Sequence, residues 1–122
     1  MTNVFVSVDQ VETPARFIDV RFNLMDKNEG QAQYEKEHIA GAVYFDLERD
    51  LSDMSKKDGR HPMPEKEQLI NLFESVGLQL TDKIYVYDQG GAPFAPRAWW
   101  MLKYVGFENV SIVNGGYDAL KQ

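Results

Sequence analysis

Cysteine is absent from this sequence of 122 residues. Without it the chain has no disulfide framework, no zinc site built on thiolates and no thiol nucleophile. Histidine is also scarce, with two in the whole chain. Two histidines that are not at metal-ligand spacing from other donors do not make a closed zinc site. The sequence therefore predicts no metal site.

Positive charge and long apolar runs are scarce as well. Lysine and arginine total 13 against 19 acidic residues, so the formal charge is −6, and the longest basic run is Lys56-Lys57. Surfaces for nucleic acids or anionic membranes need clustered cations, and no apolar run approaches the ~20 residues of a membrane span. Residues 1–3 lack the features of a signal peptide. We therefore expect a cytoplasmic protein with neither nucleic acid nor membrane as partner.

Strand-like and helix-like segments alternate along the chain. Short apolar runs predict strands, and apolar residues at positions 69, 72, 73 and 76 mark one face of a helix. Alternating strands and helices are typical of a parallel sheet with crossover helices. The predicted strands are 17–20, 42–45, 84–87 and 110–113, and the predicted helices are 31–36, one that begins near 65, 96–104 and one that begins near 116.

Acidic or glycine-rich turns follow three of these strands, at 19–21, at Asp46 and at 88–93. Ligand sites in parallel sheets form at the carboxyl ends of the strands. A glycine-rich turn that enters a helix also exposes N–H groups that bind an anion or stabilise a thiolate. No Gly-Lys-Ser/Thr follows the third turn and no G-x-G-x-x-G follows the first strand, so neither nucleotide-binding motif is present.

Five motifs occur together in one order and spacing. They are Asp19-Val20-Arg21; His38-Ile39-Ala40-Gly41-Ala42; Gly59-Arg60-His61-Pro62-Met63-Pro64; Tyr87-Asp88 with Ala95-Pro96-Arg97-Ala98-Trp99-Trp100-Met101; and Gly106-Phe107 with Asn114-Gly115-Gly116. From Val6 to Ala119 the chain thereby resembles the rhodanese (sulfurtransferase) family, although Ala40 stands where that family usually has proline. The resemblance implies an α/β fold over 1–122, with a central, mainly parallel sheet of about five strands and helices on both faces.

Two of the motifs, A-P-R-x-W-W and G-R-H-P, resemble the N-terminal domain of two-domain thiosulfate and 3-mercaptopyruvate sulfurtransferases. In those enzymes a cysteine of the C-terminal domain takes sulfur from the donor as a persulfide and passes it to cyanide or a thiol. The resemblance implies that residues 1–122 are the N-terminal half of such a protein. Its expected partners are a C-terminal rhodanese domain and a small-molecule sulfur donor, and no metal or organic cofactor is implied. The choice between thiosulfate and 3-mercaptopyruvate stays open.

The 88–93 loop corresponds to the active-site loop of that family but is degenerate. Its residues are Asp88, Gln89, Gly90, Gly91, Ala92 and Pro93, and Asp88 stands where an active domain has cysteine. Because a carboxylate cannot form a persulfide, we expect no sulfur transfer by this chain alone. An aspartyl nucleophile would need a magnesium cage and a lysine, so a capping or loop-stabilising aspartate is the favoured interpretation.

Four residues are predicted to face an interdomain cleft: Glu48, Arg60, His61 and Arg97. By position, His61 and Glu48 match a histidine and an acid proposed to assist proton transfer in mercaptopyruvate-type relatives, where the acid is usually aspartate. For Arg97 we expect an ion pair with Asp88 or Asp19, with anion binding as the alternative.

Three further residues are interpreted as structural. His38 is expected to make a structural hydrogen bond. Adjacent helix positions point about 100° apart, so one of Trp99 and Trp100 is expected in the core and the other under a partner domain.

Two other functions remain open. The chain could be a stand-alone, inactive rhodanese module that binds a partner or senses an anion through the 88–93 loop. A weaker alternative is a relative of the cell-cycle dual-specificity phosphatases, which the resemblance implies share the fold. They need a loop cysteine and arginine that this loop lacks.

Overall fold

The structure, a computed structural model, describes residues 4–56 and 61–121. Five parallel strands form one sheet in the order β1-β5-β4-β2-β3. The strands are β1 (Phe5–Val6), β2 (Arg16–Asp19), β3 (Val43–Tyr44), β4 (Ile84–Tyr87) and β5 (Val110–Val113). The helices are α1 (Glu29–Lys36), α2 (Lys66–Ser75), α3 (Phe94–Tyr104) and α4 (Gly116–Leu120). The predicted α/β class and parallel sheet are confirmed.

The central strand β4 is buried along its whole length, which explains why its sequence is continuously apolar. Its side chains alternate between the two faces of the sheet. Ile84 and Val86 pack into the cluster that contains helices α2 and α3, whereas Tyr85 and Tyr87 pack into the cluster that contains residues of α1 and α4. Helices therefore cover both faces, as expected.

One strand was missing from the sequence prediction. β1 has two residues and pairs only with β5 at the edge of the sheet. The Ile112 N–H donates to the Val4 carbonyl and the Asn114 N–H donates to the Val6 carbonyl. A strand this short has no periodicity to read, and its place is set by a partner more than a hundred residues away in the chain.

The strand order creates a crevice where the site can form. The chain passes from β2 to β3 on one side, then returns to place β4 on the other side of β2. Such a switch point leaves a crevice at the carboxyl ends of the two flanking strands, here β2 and β4. The residues that follow these strands, from Val20 and from Asp88, therefore meet at one edge of the sheet.

Candidate functional site

Asp88 is the structural centre of the 88–93 loop. The residue is buried, with 4% of its surface exposed. Its Oδ1 accepts a hydrogen bond from the Gly90 N–H (2.7 Å), and its Oδ2 accepts one from the Ala95 N–H (3.0 Å). The carboxylate thus binds both the turn and the first turn of α3, where a negative charge is favourable. The prediction of a loop-stabilising aspartate is confirmed.

The same contact explains why α3 begins earlier than predicted. The sequence prediction started this helix at Pro96, but the structure starts it at Phe94. The Asp88 carboxylate satisfies the Ala95 N–H, which would otherwise lack an acceptor in the first turn. Proline is tolerated in a first turn because its missing N–H is not needed there.

Gln89 joins the 88–93 loop to the segment that follows β2. Its Nε2 donates to the Phe22 carbonyl (2.6 Å), and its Oε1 accepts from the Phe22 N–H (3.3 Å). The side-chain amide therefore pairs with the backbone of residue 22 much as a strand neighbour would. Sequence reasoning placed Gln89 in the loop but gave no sign of this partner.

Asp19 and Arg21 form a buried ion pair beside the loop. Asp19 is fully buried and Arg21 is 5% exposed. Asp19 accepts from Nη2 (2.7 Å), Nε and the backbone N–H of Arg21. The guanidinium also lies 4.1 Å from the ring centroid of Tyr117 and donates to the Glu37 carbonyl. This pair fixes the end of β2 against α1 and α4.

Glu48 and His61, both predicted to face an interdomain cleft, lie in contact with each other. The Asp46 carboxylate accepts hydrogen bonds from the backbone N–H groups of Glu48 and Arg49, which forms the turn that presents Glu48. Glu48 Oε2 lies 3.2 Å from His61 Nε2, and its Oε1 lies 3.3 Å from the Lys27 Nζ. Both side chains of the Glu48–His61 pair are about one-fifth exposed. Arg60, the fourth predicted cleft residue, lies outside the described residues.

Arg97 does not make the ion pair that the sequence predicts. Instead of Asp88 or Asp19, its guanidinium donates to two backbone carbonyls: Leu51 (2.9 and 3.1 Å) and His61 (2.8 Å). The prediction was wrong because both acidic side chains are already engaged, Asp88 by backbone N–H groups and Asp19 by Arg21. Arg97 thereby connects α3 to the long segment that carries His61.

The remaining structural predictions concern a histidine and two tryptophans. His38 Nδ1 lies 2.6 Å from the Tyr34 carbonyl, a contact within one turn of chain. Trp99 donates its ring N–H to the Val110 carbonyl and packs against the core. Trp100 is 47% exposed and stacks on Tyr104. The structural hydrogen bond of His38 is confirmed, and so is the prediction that one tryptophan packs against the core while the other does not. A partner domain over Trp100 stays a prediction.

Two adjoining cavities open at the crevice and share the side chains of Leu24, Pro93 and Phe94. The larger cavity, about 470 Å³, lies against the 88–93 loop. The smaller one, about 310 Å³, lies on the other side of Phe94 and is completed by Leu47, His61 and Arg97. The degenerate loop and the Glu48–His61 pair thus face neighbouring parts of one crevice.

Comparison with known proteins identifies the family of this chain. The profile of the rhodanese-like domain matches residues 8–122. The chain belongs to the rhodanese family. One fold can carry several functions, so the function of this chain is argued from the residues of its site and not from the fold alone.

Relatives in this family are sulfurtransferases by name. The 3-mercaptopyruvate sulfurtransferase of Escherichia coli is 42% identical over 91 residues, which cover 75% of this chain and 31% of that protein. A Pseudomonas aeruginosa protein named "Probable 3-mercaptopyruvate sulfurtransferase" is 40% identical over 107 residues, 85% of this chain and 38% of that protein. The structure of the Leishmania major 3-mercaptopyruvate sulfurtransferase superposes with a TM-score of 0.87 at 30% identity, covering 97% of this chain and 34% of that one. The rhodanese domain therefore spans well under half the length of these relatives.

No helix among the described residues is both long and apolar enough to cross a membrane.

Removal of the Asp88 carboxylate is expected to loosen the loop. In Asp88→Ala the N–H groups of Gly90 and Ala95 lose their acceptors, at a cost of about 1–3 kcal/mol in the free energy of unfolding. Asp88→Asn keeps one acceptor oxygen and is expected to lose roughly half as much. Urea denaturation of the three proteins measures the difference. Equal midpoints for wild type and Asp88→Ala would show that the contacts do not hold the loop.

Proposed function

We propose that this chain is the N-terminal, non-catalytic rhodanese domain of a two-domain sulfurtransferase. The whole protein would take sulfane sulfur from 3-mercaptopyruvate or thiosulfate as a cysteine persulfide in its C-terminal domain. It would then pass the sulfur to cyanide or a thiol. This domain would supply one wall of the donor cleft, from its 88–93 loop, Glu48 and His61. The longer sulfurtransferase relatives support the proposal.

The observation that carries the proposal is the engagement of Asp88. In an active rhodanese loop the thiolate attacks the donor while the loop N–H groups stabilise the anion. Here a carboxylate stands at that position and already accepts from Gly90 and Ala95. It has no capacity to hold sulfane sulfur. The described loop therefore suits a supporting domain whose partner carries the thiolate.

The Glu48–His61 pair supports a role in the cleft. A histidine fixed by a carboxylate is a suitable proton carrier near neutral pH. The pair lies beside a cavity of about 310 Å³ and remains partly exposed. In the whole enzyme it would serve the sulfur donor bound between the domains.

Two assays test the proposal. The purified chain is expected to show no transfer from thiosulfate or 3-mercaptopyruvate to cyanide and no cyanolysable sulfur. The protein made from the uninterrupted reading frame is expected to transfer sulfur and to gain one sulfur atom on a cysteine downstream of Gln122. Sulfur transfer by the short chain, or a stop codon directly after Gln122, would contradict the proposal.

A second candidate is a stand-alone module that binds a partner protein. Leu24, which lines the crevice, is 57% exposed, and its neighbour Met25 is 93% exposed. Exposed apolar side chains at a crevice favour a protein contact. Anion sensing through the 88–93 loop is less suitable, because the Asp88 carboxylate already occupies the N–H of Gly90 in the loop and that of Ala95 at the start of α3. A natural stop after Gln122 would favour this second candidate.

A further inference from the structure

An apolar groove lies between α2 and the segment that follows α3, away from the crevice. Its volume is about 290 Å³. Six apolar side chains form its walls: Ile70, Phe73, Leu78, Leu80, Val105 and Phe107. Phe73, Leu78 and Phe107 are buried in the core, so the floor of the groove is close-packed. The groove is therefore a preformed apolar surface that opens to solvent.

Leu80 stands at the open side of this groove, with 60% of its surface exposed. It lies over Gly106, where an added Cβ would come 3.7 Å from the leucine Cδ2. Single exposed leucines are common in proteins, but one that extends an apolar groove enlarges the surface that a partner can cover. The groove and Leu80 together suit an apolar side chain of another molecule.

The groove lies at the edge of the sheet opposite the crevice. Leu78 and Leu80 precede β4, and Phe107 precedes β5. Because these strands are parallel, their amino ends meet at one edge of the sheet, whereas the 88–93 loop follows the carboxyl end of β4. A molecule bound in the groove would therefore leave the crevice uncovered.

The charge beside the groove is negative. Glu74 lines the groove, and Glu67 precedes it on α2 by about two turns of helix, so both carboxylates lie on one side of α2. Neither forms an ion pair with a residue in the ranges 4–56 and 61–121. The neighbouring Lys66 lies over the Tyr104 ring instead, 5.4 Å from its centroid. Two acids without a cation favour a partner that carries positive charge.

We propose that this groove, with Glu67 and Glu74 beside it, docks an amphipathic segment of another protein that is apolar on one face and carries lysine or arginine next to that face. Helical segments of this kind insert apolar side chains one turn apart into such grooves. Nucleic acids and anionic lipids are themselves negative, so the two carboxylates would repel them. A second copy of this chain fits poorly, because its formal charge is −6 and its longest basic run is Lys56-Lys57.

The test uses this chain and two synthetic octapeptides that differ only in charge. KLLKKLLK carries lysines beside an apolar face, and ELLEELLE carries glutamates at the same positions. KLLKKLLK is expected to give saturable NMR shifts at Ile70, Val105 and Phe107, and its binding is expected to weaken as salt is added. ELLEELLE is expected to bind about tenfold more weakly.

Two matched pairs of variants separate docking in the groove from general attraction to an acidic protein. Leu80→Ser is expected to weaken KLLKKLLK binding about fivefold, whereas Met54→Ser, at an exposed apolar residue outside the groove, is expected to bind as wild type does. Glu74→Gln is expected to weaken binding about threefold. Glu35→Gln removes the same charge from α1, on the other face of the sheet, and is expected to leave binding unchanged. All four positions are exposed, so the variants are expected to keep the wild-type urea midpoint.

Three binding results would overturn the proposal: no saturable shift with KLLKKLLK, equal affinity for the two peptides, or the same affinity in Leu80→Ser and Glu74→Gln as in their controls. A dimer of the free chain that light scattering detects and that Leu80→Ser abolishes would also overturn it, since a second copy would then occupy the groove.

Discussion

Replacing Asp19 by alanine is expected to lower the free energy of unfolding by about 3–5 kcal/mol. The substitution leaves the guanidinium of Arg21 buried without its carboxylate. Asp19 is fully buried and accepts from Nε, Nη2 and the backbone N–H of Arg21. Water cannot replace these contacts at a site with 5% exposure of the arginine. The loss is large compared with the 5–15 kcal/mol by which small domains are typically stable.

Urea denaturation followed by tryptophan fluorescence measures this loss. Asp19→Asn, which keeps hydrogen-bond acceptors, is expected to fall between wild type and Asp19→Ala. Replacing both residues, with Arg21→Met, is expected to be more stable than Asp19→Ala alone because no unpaired charge remains.

The exposed pair of Glu12 and Lys83 provides the control. Glu12→Gln is expected to leave the midpoint unchanged, because exposed ion pairs contribute little. If Asp19→Ala also kept the wild-type midpoint, the ion pair would not hold this edge of the sheet.

Much of the fold could be predicted because two patterns of apolar residues are clear in this chain. Continuously apolar runs such as 84–87 are buried on both faces of a parallel sheet, and the spacing of Leu69 and Phe73 marks the buried face of α2. The ends of the helices were predicted less accurately. They depend on caps such as the Asp88 contact to Ala95, which joins positions separated by a turn.

The candidate site was predicted in part, and there is a physical reason why the rest could not be predicted. The sequence placed Asp88 in a turn at the carboxyl end of a strand, and the resemblance to the family implied that Glu48 and His61 face the cleft. It gave the wrong partners for Arg97, whose guanidinium donates to backbone carbonyls and not to a carboxylate. Every residue has a carbonyl, so no residue type signals such a contact.

Replacing Gly116 by alanine is expected to be among the most damaging single changes in the chain. A Cβ there would lie 2.4 Å from the Asp88 carbonyl oxygen and 2.5 Å from the Gly90 nitrogen. The backbone φ of +61° at Gly116 is also unfavourable for alanine. The two effects together predict a loss of about 2–5 kcal/mol in the free energy of unfolding. Because both clashes are with backbone atoms, the 88–93 loop itself would have to move.

Gly91→Ala separates these two effects. Gly91 has a similar φ of +69°, but an added Cβ would meet nothing within 4 Å. It carries only the conformational cost, about 1–2 kcal/mol. Urea denaturation of both variants gives the difference in stability, and amide shifts of residues 88–93 report displacement of the loop. A larger loss in Gly116→Ala, with loop shifts, is expected. Equal losses without such shifts would show that α4 does not support the loop through Gly116.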